Sequence, residues 1–133
     1  MKLFLLDEVR TNNFTDPEVM GKIGGVWEKM ESHPIDPQKN KYGIYFKYTS
    51  NYKGDYSMAT GTEYIETEKV IETQSNTIYK VFPVNMKRKE PILTMWQKIW
   101  EMEDNGQLSR AYKVDFEEYL PNGEVDIYIS VLK

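Results

Sequence analysis

The fold is decided by the stretch Lys113-Val114-Asp115-Phe116-Glu117-Glu118-Tyr119-Leu120, which is followed by Pro121-Asn122-Gly123 and then by Glu124-Val125-Asp126-Ile127-Tyr128-Ile129-Ser130-Val131-Leu132. Both longer segments contain aromatic and β-branched residues that alternate with polar ones, which is the pattern of a strand. An Asn-Gly pair between two such segments is a strong hairpin signal. The sequence therefore predicts antiparallel strands over residues 112–120 and 124–132.

Successive side chains of a strand point to opposite faces, so each strand of this hairpin has an apolar row and a more polar row. The apolar rows are Val114, Phe116 and Leu120, and Val125, Ile127, Ile129 and Val131. The opposite rows are Asp115, Glu117 and Tyr119, and Asp126, Tyr128 and Ser130. We expect the apolar rows to meet helices, so that Glu117, Tyr119 and Tyr128 share the face that the helices leave uncovered. The alternative is that this polar face is simply exposed to water.

Upstream of the hairpin, the same order of elements is predicted twice. Residues 77–84 form a strand, and Pro91 opens a helix that ends at Asp104-Asn105-Gly106. The first half repeats this pattern with a strand at 3–9, a helix from Asp16-Pro17 to before His33, and strands at 42–48 and 56–64. Residues 65–76 form a connector.

A duplicated β-α-β-β arrangement follows from this order. The predicted fold class is α+β, with a curved, mostly antiparallel sheet, two helices on one face and a ligand cleft. Length favours a single domain over residues 1–133, with repeats at about 1–64 and 77–133.

Charge and composition exclude several classes of function. The formal net charge is −4 and the sequence pI is about 5.1, which argues against direct binding of nucleic acid. The absence of cysteine excludes disulfides, and a single histidine, His33, argues against a metal site or a histidine-based triad. No apolar run reaches the length of a membrane span or a signal peptide. We therefore predict a cytoplasmic protein with no cofactor, no metal and no membrane contact.

Aromatic residues point to a small-molecule pocket, since tyrosine accounts for 10 of the 133 residues. A carboxylate such as Glu117 among tyrosine rings is poorly hydrated, so its pKa should rise and it should favour a cation or accept a proton. A second aromatic cluster is Tyr42, Tyr45, Phe46, Tyr48, Tyr52 and Tyr56, although the pattern leaves open which of these face inward. Trp27, Trp96 and Trp100 fit helix packing in the core, and Trp96 also suits the border of a pocket.

Motifs along the chain resemble the GyrI-like effector-binding domain. They are Arg10-Thr11-Asn12-Asn13, the helix with Trp27, Tyr42-Gly43-Ile44-Tyr45, Gly54-Asp55-Tyr56-Ser57, Ile78-Tyr79-Lys80-Val81-Phe82, Trp96 and Trp100, Asp115-Phe116-Glu117-x-Tyr119 and Val125-Asp126-Ile127-Tyr128-Ile129. This domain is the drug sensor of AraC-type and MerR-type transcription regulators. The resemblance implies a ligand cleft in which an acidic residue receives lipophilic cations, and Glu117 occupies that position.

The resemblance implies three functions. The first is a stand-alone effector-binding or regulator-like domain that binds a lipophilic, cationic small molecule through Glu117, Tyr119, Tyr128, Tyr45 and Trp96. The second is a hydrolase of electrophilic, cyclopropane-type toxins, in which Glu117 activates water and Tyr45 assists the leaving group. The third is an inhibitor that acts on a protein partner, as the gyrase inhibitor of this family does.

Overall fold

The computed structural model describes residues 1–132, and over this range it contains seven strands and two helices. In chain order they are β1 (Lys2–Thr11), α1 (Val19–Met30), β2 (Lys41–Phe46), β3 (Tyr56–Thr62), β4 (Val70–Glu72), β5 (Ile78–Pro83), α2 (Pro91–Asp104), β6 (Asp115–Tyr119) and β7 (Val125–Val131). The helix predicted from Asp16-Pro17 thus begins at Val19. The connector predicted over 65–76 contains the short strand β4.

All seven strands lie in one sheet with the order β4-β1-β3-β2-β6-β7-β5, and every neighbouring pair is antiparallel. The element order β-α-β-β occurs twice, and the pairing of β2 with β6 joins the two units at the centre of the sheet. The predicted α+β class, with a curled antiparallel sheet and two helices, is confirmed. The division into repeats at 1–64 and 77–133 stays a prediction.

Both faces of this sheet are buried, each against a different layer. One face is covered by the helices: Val26 of α1 packs with Met58, and Ile99 of α2 packs with Ile127 and Ile129. The other face lies inside the curl of the sheet and forms a core of its own from Leu3, Leu5, Tyr42, Ile44, Phe46, Ala59 and Phe116. The curl therefore supplies a second apolar core without help from a helix.

The faces predicted for the C-terminal hairpin are wrong in one respect. In the observed register Glu117 pairs with Ile127 and Phe116 pairs with Tyr128, so the apolar rows of β6 and β7 lie on opposite faces. Glu117 faces the helices, and Phe116 lies inside the curl. Register depends on the turn, which is closed here by a hydrogen bond from the Leu120 backbone N–H to the Glu124 carbonyl. Because both faces are buried, alternation alone does not identify the face that meets the helices.

No helix within the described residues is both long enough and apolar enough to cross a membrane.

We predict opposite effects of alanine at two glycines, one within the closely packed strands β1, β2 and β3 and one in α1. A Cβ atom at Gly61 would lie 2.8 Å from the Phe4 carbonyl oxygen and 2.8 Å from Ile44 Cδ1, so Gly61→Ala should lower the free energy of unfolding by about 1–3 kcal/mol through overpacking. Gly24, inside α1, has no atom within 4 Å of such a Cβ. Gly24→Ala should therefore raise the free energy of unfolding by about 0.5–1 kcal/mol.

Urea unfolding of both variants and the wild type measures these changes. Destabilisation of the same size by both substitutions would contradict this account of strand packing.

Candidate functional site

A cavity of about 370 Å³ lies between the two helices and the sheet. Its walls are mostly apolar and aromatic: Asn13, Phe14, Val19, Met20, Ile23, Tyr45, Tyr48, Tyr52, Tyr56, Ile92, Leu93, Trp96, Trp100, Arg110 and Glu117. The walls come from α1, α2, β2, β3 and β6, from the segment before α1, from the β2–β3 loop and from the segment between α2 and β6. The site is therefore built beside the junction between β2 and β6.

Glu117 places a carboxylate in the wall of this cavity, although only 1% of the residue is exposed. Its Oε2 accepts hydrogen bonds from Trp96 Nε1 at 2.7 Å and from the Tyr45 hydroxyl at 3.0 Å. Its Oε1 accepts one from the Tyr119 hydroxyl at 2.9 Å. All three donors are neutral, and no basic side chain among residues 1–132 forms an ion pair with Glu117.

Burial raises the pKa of Glu117, and the hydrogen bonds from Trp96, Tyr119 and Tyr45 act in the opposite direction. Burial also raises the pKa of the Tyr45 hydroxyl well above its ordinary value, and the neighbouring Glu117 charge adds to this effect. Tyr45 therefore keeps its proton and acts as a donor. The Glu117 carboxylate is therefore stabilised only by the dipoles of neutral hydrogen-bond donors.

The space that the Glu117 carboxylate occupies depends on the absence of a side chain at Gly43. Gly43 pairs with Glu117 across the β2–β6 junction, and a Cβ there would lie 2.7 Å from Glu117 Oε1 and 2.8 Å from Trp27 Cζ2. Trp27 in turn packs edge-on against the Tyr119 ring, with centroids 4.8 Å apart. The absence of a side chain at Gly43 thus lets α1 and the Glu117 carboxylate approach the same point of the sheet.

A second buried carboxylate, Asp115, lies two residues before Glu117 on the same face. Arg110 Nη2 donates to it at 2.7 Å, the Tyr48 hydroxyl at 2.6 Å, and Ser130 through both its backbone N–H at 2.7 Å and its hydroxyl at 2.9 Å. The Arg110 guanidinium also lies 4.4 Å from the centroid of the Tyr112 ring. Asp115 and Arg110 therefore neutralise one another, and Glu117 remains the charge without a counter-ion.

The mouth of the cavity exposes apolar side chains. Phe14 is 54% exposed and Met20 is 77% exposed. The Tyr52 and Trp100 rings stack with their centroids 5.5 Å apart, and Phe14 packs against both of them. A ligand that enters here meets apolar surface before it reaches Glu117.

The structure places the predicted site residues as follows. Glu117, Tyr45 and Trp96 line the cavity, and Tyr119 lies behind Glu117 and donates to it. Tyr128 does not belong to the site: its ring stacks on Phe116 inside the curl, with centroids 4.6 Å apart. This correction follows from the hairpin register, which puts Tyr128 and Glu117 on opposite faces.

Two polar groups of the cavity, Asn13 and Arg110, were not predicted from the sequence. Asn13 lies within the polar Arg10–Asn13 motif, and the apolar Phe14 that follows this motif is a signal of a buried or ligand-facing loop. Arg110 precedes β6 by a few residues, and a strand pattern gives no information about its direction. Within residues 1–132 no group of three or more potential metal ligands comes together, and His33 pairs with Asp7 at 3.0 Å.

Comparison with known proteins places this site in context. The model of a family described as "Cass2: Integron-associated effector binding protein" matches residues 8–131. Among solved structures, the integron cassette protein VCH_CASS2 from the mobile metagenome of Vibrio cholerae is similar, with 25% identity and a TM-score of 0.76. The match covers 99% of this chain and 90% of that chain. No curated protein matches the sequence.

The raised pKa of Glu117 predicts how stability changes with pH. The protonated carboxyl is favoured in the folded state, so its contribution to stability is fully present below the ordinary glutamate pKa of 4.5 and is lost as the pH rises through the folded-state pKa. Glutamine cannot ionise, so the free energy of unfolding of Glu117→Gln does not show this pH-dependent loss. The free energy of unfolding of the wild type should therefore fall relative to that of Glu117→Gln as the pH rises above 4.5.

Urea titrations of both proteins at several pH values between about pH 4 and about pH 8 measure this difference. A difference that stays constant over that range would contradict the assignment of a raised pKa to Glu117.

Proposed function

The chain belongs to the family of integron-associated effector binding proteins, and from this membership we propose that its effector is a lipophilic cation that binds in the cavity between the two helices. The apolar body of the ligand contacts the aromatic walls. Its positive centre lies against Glu117. The protein is then a binding module for such compounds.

The observation that carries this proposal is the buried Glu117 carboxylate without a cationic partner. An ionised carboxyl group is costly to bury unless it has both hydrogen bonds and a partner of opposite charge, and here all three donors are neutral. A ligand cation supplies the positive charge that Glu117 lacks among the side chains of residues 1–132. Removing one partner of a buried charge pair typically costs several kcal/mol, so the charge also supplies discrimination against neutral compounds.

The aromatic walls suit a cation with an apolar body. Tyrosine and tryptophan rings attract cations over their faces, and the hydroxyl groups of Tyr45 and Tyr48 are already bonded to Glu117 and Asp115. These hydrogen bonds hold both rings in the wall of the cavity. The cavity volume of about 370 Å³ lies within the range of small-molecule sites, which is roughly 300–1,000 Å³.

The charges of the site favour a single positive charge on the ligand. Arg110 and Asp115 form an ion pair at 2.7 Å and cancel one another. Glu117 then contributes the one unbalanced negative charge of the cavity. A monocation restores neutrality.

A second candidate function rests on the contact between the Tyr45 hydroxyl and Glu117 Oε2 at 3.0 Å. In a hydrolase of electrophilic compounds, Glu117 would take a proton from water while the water oxygen bonds to the electrophilic carbon. Tyr45 would donate its proton to the group that leaves that carbon. A carboxyl group with a raised pKa beside a protonated tyrosine suits these two roles.

Binding of a matched pair of compounds tests the proposed function. The pair is (biphenyl-4-yl)methyl-trimethylammonium and its neutral isostere, in which a quaternary carbon replaces the nitrogen. Glu117→Gln should weaken binding of the cation by at least about 30-fold, since it removes one partner of a desolvated charge pair, and should change binding of the neutral isostere much less. Titration calorimetry measures both affinities.

Glu118→Gln is the matched control, because Glu118 is the next residue of β6, faces the opposite side of the sheet and bonds to Tyr42 and Tyr128. It should leave both affinities unchanged. Equal losses for the cation and the isostere in Glu117→Gln would overturn the counter-charge role of Glu117.

Mass spectrometry separates the two candidate functions. After incubation with the protein, a cyclopropane-containing electrophile should be recovered intact if the protein only binds its ligands. Recovery of the water adduct, with the loss of this activity in Glu117→Gln, would establish the hydrolase in place of the binding module.

A further inference from the structure

Asn13 brings a side-chain amide to the cavity, and the fold uses only the oxygen of that amide. Its side-chain Oδ1 accepts a hydrogen bond from the Tyr56 hydroxyl. This bond turns the amide so that the oxygen faces Tyr56, and within residues 1–132 its Nδ2 makes no hydrogen bond. Asn13 lines the cavity and is half-buried, so these two N–H donors are available to a ligand.

The neighbouring residue holds Asn13 in place. The Asn12 side chain donates to the Lys53 carbonyl at 3.0 Å and to Asp55 Oδ1 at 2.9 Å, which ties the segment to the β2–β3 loop. Its Oδ1 accepts from the backbone N–H groups of Phe14 at 2.8 Å and Thr15 at 3.0 Å. The turn that presents Asn13 is therefore ordered before any ligand binds, which lowers the entropic cost of using it.

Asn13 and Glu117 lie at opposite ends of a row of aromatic rings. The Tyr56 hydroxyl bonds to Asn13, the Tyr56 and Tyr45 rings pack with their centroids 5.8 Å apart, and the Tyr45 hydroxyl bonds to Glu117. A ligand that lies along this row meets an acceptor at one end and a donor at the other. The two ends therefore recognise different chemical groups.

We propose that Asn13 is a second polar anchor of the cavity, and that its amide donates a hydrogen bond to a neutral acceptor, such as a carbonyl oxygen, on the part of the ligand remote from its positive centre. This inference rests on the proposed function and narrows its ligand class to cations that carry such an acceptor. A carboxylate is disfavoured at this end, because Arg110 is already neutralised by Asp115 and a monocation balances Glu117. Asn13 is thus a specificity-determining residue.

A pair of cations that differ in one atom tests the proposal. They are (4′-acetylbiphenyl-4-yl)methyl-trimethylammonium and the 4′-isopropenyl analogue, in which a methylene group replaces the carbonyl oxygen. The wild type should bind the acetyl compound about 2- to 10-fold more tightly, the ratio expected from one neutral hydrogen bond. The ratio is read in titration calorimetry at one pH.

Asn13→Asp should abolish this preference, because it keeps an oxygen for Tyr56 and replaces the donor by a second acceptor. The attraction between the added negative charge and the remote trimethylammonium group is the same for both cations and cancels in the ratio, whereas the loss of the donor affects the acetyl compound alone. Asn122→Asp, in the β6–β7 turn outside the cavity, adds the same charge and retains the acceptor for the Glu124 backbone N–H, and it should leave the ratio unchanged.

The outcomes separate this inference from the proposed function. If the wild type binds both cations equally and Glu117→Gln weakens both, Glu117 keeps its role and the role of Asn13 is overturned. A preference for the acetyl compound that survives Asn13→Asp also overturns it. If the wild type binds neither cation, both proposals fall.

Discussion

The burial of the Glu117 carboxylate is the constraint on which the rest of the site depends. Three neutral donors from β2, α2 and β6 itself converge on its two oxygens, and Gly43 leaves the space that these oxygens occupy. Such an arrangement holds the carboxylate in one position without neutralising it. In the proposed function this preorganised, uncompensated charge selects a positively charged ligand, because the apolar cavity keeps water from solvating the carboxylate as well as bulk solvent would.

The fold tolerates the buried Glu117 carboxylate because apolar cores away from that carboxylate provide the stability. The curl of the sheet encloses an apolar core around Ile44 and Phe116, and Ile99 forms another core with β7. Tyr48 and Ser130 donate to the Asp115 carboxylate of the ion pair with Arg110, so the pair fixes the start of β6 without changing the net charge of the cavity. The helix-facing side of the sheet centre is thereby available for polar groups and a ligand.

The element order could be predicted from the sequence because each signal was local. Alternation and the Asn122-Gly123 turn identified the C-terminal hairpin, and the proline at residue 91 marked the start of α2. The orientation of the sheet could not be predicted, since it depends on the register between β6 and β7 and on which layer covers each face. This is why Tyr128 was wrongly assigned to the site. Arg110 and Asn13 reach the cavity from irregular segments, whose backbone direction is set by tertiary contacts such as those of Asn12.

The most direct test of the account is the number of protons released when a lipophilic cation binds. If the cation pairs with a Glu117 whose pKa is raised by burial, binding must favour the ionised form and expel a proton at pH values between 4.5 and the folded-state pKa. Titration calorimetry of the wild type in buffers of different ionisation enthalpy, at several pH values above 4.5, counts these protons. The account predicts release with the cation and none with its neutral carbon isostere. Equal proton counts for the two compounds at every pH would contradict it.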